Sequence, residues 1–225
     1  MDVNSWYETF PLLDYFDKGG PVMWPLLACS IVAVTFIIER FWHYHKASID
    51  APEFLDRIGK VLQKGKIKEA TKMCEAYTGP VASILKAGLL RYDRGKEEIE
   101  RAIEASGSLE MARLERGLVV LASVANLAPL LGFLGTVTGM INSFEAIAKQ
   151  GLNNPALVSI GISEALITTA GGLMIAIPVL AFYNYFTSRV SKIVLDMEES
   201  SAFLVEYMGD LESASKAAAA QGQSL

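Results

Sequence analysis

One carboxylate, Glu164, stands in a run that carries no other charge between Lys149 and Arg189. At a bilayer centre a carboxylate costs about 2.5–3.5 kcal/mol even on the lenient insertion scale, so such a residue lines a water-filled path, meets a partner or carries protons. Hydroxyls accompany it. Thr168 and Thr169 follow about one turn later, and Thr136 and Thr138 occupy a second apolar run. One carboxylate among hydroxyls in an apolar setting suits the passage of a small cation. The plainer reading of each threonine is a hydroxyl bonded to its own preceding turn, and that of Glu164 is a structural carboxyl shared between helices. Nothing suggests covalent chemistry. Ser, His and Asp do not converge, no P-loop appears and no glycine-rich turn follows a strand, so neither an enzyme nor a cofactor is expected. His43 and His45 flank a membrane exit beside Trp42 and Tyr44 and read as interfacial residues rather than metal ligands. Cys29 and Cys74 fall in different phases, without disulfide or metal spacing.

The elements that must position these groups are long helices. Of 225 residues 52% are hydrophobic, mean hydropathy is +0.31, and charge lies outside three apolar stretches. A net charge of −5 with no basic patch interleaved with aromatics excludes a nucleic-acid binder. The first stretch, residues 22–38, is extended on its apolar side by Phe41 and Trp42; Asp2, Glu8, Asp14 and Asp17 precede it, which argues for a retained span rather than a signal peptide. The second, residues 117–144, has 28 residues without charge, and the third covers residues 155–188. Asn153, Asn154 and Pro155 spell a helix start, so residues 150–154 read as a short turn between antiparallel helices.

Fifteen of the 20 Lys and Arg lie between Arg40 and Arg116, and three follow Ser188. The positive-inside rule therefore puts that loop and the tail in the cytoplasm and the N-terminus outside. The chain divides into an outer segment (1–21), a first span (22–42), a cytoplasmic helical loop (43–116), a second span (117–147), an outer turn (148–154), a third span (155–188) and a cytoplasmic helix and tail (189–225). From Glu97 to the outer turn no strong breaker interrupts the pattern, which predicts a helix of roughly fifty residues, ~75 Å long. The third helix is expected to run on through Val190, Val194, Met197 and Phe203, and the tail from Ser213 to be frayed or disordered.

Counting from the outer turn places Glu164 ~14 Å deep, with Thr136 at nearly the same depth, Thr138 slightly higher, and Thr168 and Thr169 a turn deeper. At 100° per residue Thr168 and Gly171 fall near Glu164, whereas Thr169 lies about 140° away. Gly132, Gly135 and Gly139 give GxxG then GxxxG; Gly161, Ala165 and Thr169 repeat at four, and Gly172 and Ala176 continue on another face. Such spacing lets helix backbones approach closely in lipid. With one buried acid, this predicts assembly about a central axis.

Two segments carry a resemblance. Residues 131–140, LGFLGTVTGM, resemble the second-helix motif of the MotA/TolQ/ExbB proton-channel family. Glu164-Ala165-Leu166 with Thr168-Thr169-Ala170, then Ala176-Ile177-Pro178 and Tyr183-Asn184, resemble its third-helix motif. Residues 19–26, GGPVMWPL, with Glu39-Arg40, resemble the ExbB branch. The resemblance implies an all-α membrane protein forming a ring-shaped homo-pentamer, with three transmembrane helices and long cytoplasmic extensions. It also implies a lumen holding an ExbD- or TolR-like single-span partner that carries a transmembrane aspartate. Thr136, Glu164 and Thr169 then face the lumen, Glu164 tuning or relaying a proton, with Thr168 adding a hydroxyl. The implied function is an inner-membrane motor subunit that uses the proton motive force to energise a TonB-like protein for outer-membrane uptake. A TolQ-like role in envelope integrity and a non-conducting scaffold are the alternatives. Three helices rather than four disfavour a flagellar stator, and the extra hydroxyl leaves sodium open as the ion.

Overall fold

The computed structural model describes residues 11–47, 51–151 and 155–222. Eight α-helices follow one another among them: α1 (Pro11–Lys18), α2 (Met23–Ala47), α3 (Ala51–Leu62), α4 (Ile67–Ala76), α5 (Pro80–Leu89), α6 (Lys96–Glu115), α7 (Leu118–Gln150) and α8 (Pro155–Gly222), with a 3₁₀ turn at Tyr92–Arg94 between α5 and α6. There is no strand among the described residues. Among the described residues three helical paths, Met23–Tyr44, Lys96–Lys149 and Val158–Asp210, are long and apolar enough to cross a membrane.

The fifty-residue helix expected from Glu97 onward is interrupted once, between α6 and α7. Arg116 (φ −50°, ψ −41°) and Gly117 (φ −84°, ψ −19°) both stay in the right-handed region. The tail departs from expectation. Ser213 opens no frayed end; α8 runs to Gly222, and the four alanines at 217–220 are the strongest helix formers available. Helix α1 was not anticipated. The cap expected at Asn153 and Asn154, the acidic residues Asp2 and Glu8, and the side chain of His45 lie outside what is described; α8 does begin at Pro155.

Two compact units divide the chain: an apolar unit of residues 1–39 and 117–185, and a charged unit of residues 40–116 and 186–225. In the apolar unit, α1 is followed by a turn at Gly19 and Gly20. Gly20 adopts φ +67°, a left-handed conformation that glycine takes without steric cost. Phe16 meets Trp24 edge-on at 5.2 Å across this turn. Val22 and Leu26 of α2 pack with Ala128 of α7 and Ala176 of α8, flanked by Met23, Leu131 and Ile175.

The charged unit has a core of large side chains. Phe54, Ile58, Leu62, Ile84, Leu85, Leu89 and Ile99 are almost fully buried. Gly88 sits under Leu204 and Ile103, Gly59 under Phe203, and the buried Tyr44 hydroxyl donates to the Leu114 carbonyl at 2.7 Å.

Candidate functional site

Helices α7 and α8 meet along two stripes of small residues with the same spacing. On α7 they are Ala128, Gly132, Gly135, Gly139 and Ser143; on α8 they are Gly161, Ala165, Thr168, Gly172 and Ala176. All ten are buried. Steps of four, three, four and four track one face of a 3.6-residue helix, so Gly172 and Ala176 continue the stripe of Gly161 and Ala165 rather than opening another face. Backbones approach where side chains are missing. A Cβ on Gly139 would lie 2.5 Å from the Gly161 carbonyl oxygen, one on Gly172 2.6 Å from that of Ala128, and one on Gly132 3.0 Å from that of Thr168. A Cβ on Gly135 would collide with the Thr168 side chain.

These pairings set the depth of the polar groups. Gly139 is level with Ala165, and Gly135 with Thr168. Thr136, one residue on in the antiparallel helix, therefore lies level with Ile167, about three residues or ~4.5 Å deeper than Glu164, and not beside it. Counting from helix ends misplaced it by under a turn, because the ends say nothing of how the two helices slide against each other.

Each threonine satisfies its hydroxyl locally. Thr136 donates to Phe133 O at 2.6 Å, and Thr138 to Leu134 O and Gly135 O at 3.2 and 3.1 Å. Thr168 donates to Glu164 O and Ala165 O, both at 3.0 Å, and has no exposed surface. Thr169 alone also reaches across, to Gly132 O at 3.3 Å, besides Ala165 O at 3.2 Å. Thr168 thus lies in the packing contact, although the helical wheel puts it near Glu164, and Thr169 at the edge of that contact.

Glu164 is half-buried and leaves the stripe on the side of the Gly19–Gly20 turn. Its Oε2 accepts from the Asn142 side-chain amide at 3.4 Å, and its carboxylate fills the space a Cβ on Gly20 would take. Among the described residues no lysine or arginine pairs with it. Asn142 stands outside the hydroxyls and carboxylates that the sequence singles out; its signal is an amide in the same uncharged run as Thr136. Nearby, Ser143 donates to Gly139 O and across to Val158 O, both at 3.1 Å. Among the described residues no three His, Cys, Asp or Glu converge as metal ligands would.

The family model described as the MotA/TolQ/ExbB proton channel family matches residues 77–199, which contain both stripes and Glu164. The chain belongs to the MotA/TolQ/ExbB proton channel family. Among relatives, a Synechocystis protein named biopolymer transport protein ExbB-like 1 is 36% identical over 188 residues, covering 82% of this chain and 74% of the relative. An ExbB homologue of Methanothermobacter thermautotrophicus is 33% identical over 180 residues, or 80% of this chain; the match spans 64% of that relative's length. The Tol-Pal system protein TolQ of Pseudomonas aeruginosa is 31% identical over 185 residues, 77% of this chain and 80% of TolQ. A multi-pass, all-helical subunit of proton-channel type fits this family and the three apolar helices.

Proposed function

We propose that the chain is an ExbB-like subunit of an inner-membrane energy-transducing motor. It works with an ExbD-like single-span protein that carries a transmembrane aspartate. Copies assemble as a ring, a pentamer by resemblance, about a lumen that receives the partner's helix. The charged unit and the end of α8 face the cytoplasm, and α1 lies outside, a reading the lysine and arginine distribution supports. Protons crossing with the transmembrane potential, worth ~2.3 kcal/mol per charge per 100 mV, move the partner. That work energises a TonB-like protein for outer-membrane uptake. Glu164, Thr136 and Thr169 form the wall along which the partner's aspartate gains and loses protons, and Thr168, buried against Gly135, serves packing more than passage. Gly132, Gly135, Gly139 and Gly172 hold α7 and α8 together.

The single observation that carries this reading is Glu164 itself, without a cationic partner among the described residues and held only by a neutral amide, in a helix otherwise uncharged across the span. The match over 80% of TolQ favours envelope maintenance as the second reading.

The test co-produces the chain with the product of a neighbouring reading frame that has one apolar span and an aspartate. Glu164→Gln is expected to cut ion-driven work on the order of a hundredfold, the usual worth of a positioned proton-transferring group, with the complex still assembled. Thr136→Ala and Thr169→Ala are expected to reduce it less. Full activity in Glu164→Gln makes Glu164 a packing residue; an assembled native complex that does no gradient-dependent work ends the channel reading.

A further inference from the structure

Three pieces of the apolar unit converge on the Glu164 carboxylate. Its own helix α8 carries it, α7 brings Asn142 within hydrogen-bond distance, and the turn before α2 brings Gly20 against the other oxygen. That turn is held in place independently. A Cβ on Gly19 would lie 3.2 Å from Ile167 Cγ2, one turn along α8, and 2.5 Å from Met23 Cγ. Gly20 is constrained twice, by φ +67° and by the carboxylate occupying the position of its missing side chain. No residue but glycine meets both conditions without strain or displacement.

We infer that Asn142 and Gly20 are positioning residues for Glu164, fixing its carboxylate at the level of the turn that leads into the first span. This rests on the channel reading above. An amide suits the task because it serves both protonation states. Its NH2 donates to a carboxylate, and its carbonyl accepts from a carboxylic acid. A lysine there would favour the ionised form alone. Asn142 can therefore stay bonded to Glu164 through a cycle of proton loss and gain, while Gly20 denies the carboxylate any side chain to lean on. Both residues lie outside the set of hydroxyls, so the path is shaped by backbone and amide as much as by threonine.

The test uses the full chain assembled with its partner. The Glu164 carboxyl band is assigned in the infrared by its disappearance in Glu164→Gln. In Asn142→Leu that band is expected to shift and ion-driven work to fall about tenfold, the scale of one lost hydrogen bond of this kind. Asn142→Gln, which keeps the amide, is expected to restore both substantially. An unmoved band and full activity in Asn142→Leu, alongside an inactive Glu164→Gln, overturns the role of Asn142 and leaves the channel reading standing. A shifted band with a fully active Glu164→Gln does the reverse: the contact holds and the part of Glu164 in the ion path fails. For Gly20, Gly20→Ala is compared in the native and Glu164→Ala backgrounds. A smaller loss of melting temperature where the carboxylate is absent supports the contact; equal losses overturn it, since backbone strain alone then accounts for both.

Discussion

The two units are both helical and are packed on opposite principles. In the apolar unit the α7–α8 contact is made of glycine, alanine, serine and threonine, while large side chains such as Trp24, Ile31, Phe133, Leu166, Met174 and Ile177 are exposed. In the charged unit Ile58, Leu62, Ile84, Leu85 and Leu89 are inside, and lysines, arginines and carboxylates pair along exposed faces, as in Arg57–Glu53 and Lys60–Asp56. The difference follows from the solvent. Lipid gives no reward for hiding leucine, so helices associate through backbone approach and local hydrogen bonds. Water gives that reward, at about 25 cal/mol per Å² of apolar surface buried.

Adding a side chain and removing one separate these two modes of packing. Gly139→Leu forces four heavy atoms into a contact where even a Cβ would lie 2.5 Å from the Gly161 carbonyl. Overpacking of this kind typically costs about 1–3 kcal/mol and more where backbone cannot yield. Here both neighbours are helix backbone, and loss of the assembled complex in size-exclusion chromatography is the expected result. Ile84→Ala, in the charged unit, opens a cavity instead. Its side chain is 1% exposed, and the expected loss is about 2–5 kcal/mol, read from thermal unfolding of the full chain. A stable Gly139→Leu complex contradicts the close approach of α7 and α8.

Such positions differ in how far sequence alone reveals them. The periodicity of Phe54, Ile58 and Leu62 announces a water-facing helix, since only one face is apolar. The three spans are equally plain from the absence of charge. Which face of a span packs is harder, because every face is apolar and only small residues mark the contact. Gly161 and Ala165 are legible as one stripe, yet the repeat at four extends it to Thr169, sets Gly172 on another face and leaves Thr168 in the polar layer, when Thr168 and Gly172 both continue the stripe. The slide of α7 against α8 left no trace in either helix alone, which is why Thr136 was placed level with Glu164. Gly19, Gly20 and Pro21 mark a break before the first span, but the roles of Asn142 and Gly20 beside Glu164 are not legible, because they depend on three segments meeting and no single segment has a pattern that shows it.

Cys74 marks the interior of the charged unit chemically. Burial pushes its thiol up from 9.0 to about 11. Since the thiolate is the reactive form, alkylation of Cys74 in the native complex at pH 8 is expected to be far slower than after denaturation. The same shift links to stability. A thiol whose folded value is raised favours the fold fully below pH 9, and that contribution is lost as pH climbs through about 11. Labelling of Cys74 at the denatured rate at pH 8 contradicts the buried core; mass spectrometry of the labelled peptide distinguishes it from Cys29.

The smallest effect is expected where polar groups are most visible. Lys66 and Glu69 form a 2.8 Å pair, with side chains 59% and 54% exposed. The Lys66 ammonium, by hydrogen bond and by charge, holds the Glu69 carboxyl below its ordinary value of 4.5. A depressed carboxyl stabilises the fold above its unfolded value, and the contribution fades as pH falls through the folded one. Water and salt screen such exposed pairs, and removing one changes little. Lys66→Ala is therefore expected to leave the melting temperature at pH 7 unchanged within error and to abolish only a slight, salt-sensitive dependence below pH 4.5. The Asn142–Glu164 contact is longer, at 3.4 Å, and one of its partners is neutral, yet its loss is expected to be felt more. Distance and formal charge would rank the two the other way; the surroundings reverse that order, because a polar group in an apolar span has few other partners to turn to. A larger loss from Lys66→Ala than from Asn142→Leu contradicts that ranking and would mean that Glu164 is hydrated well enough to dispense with the amide.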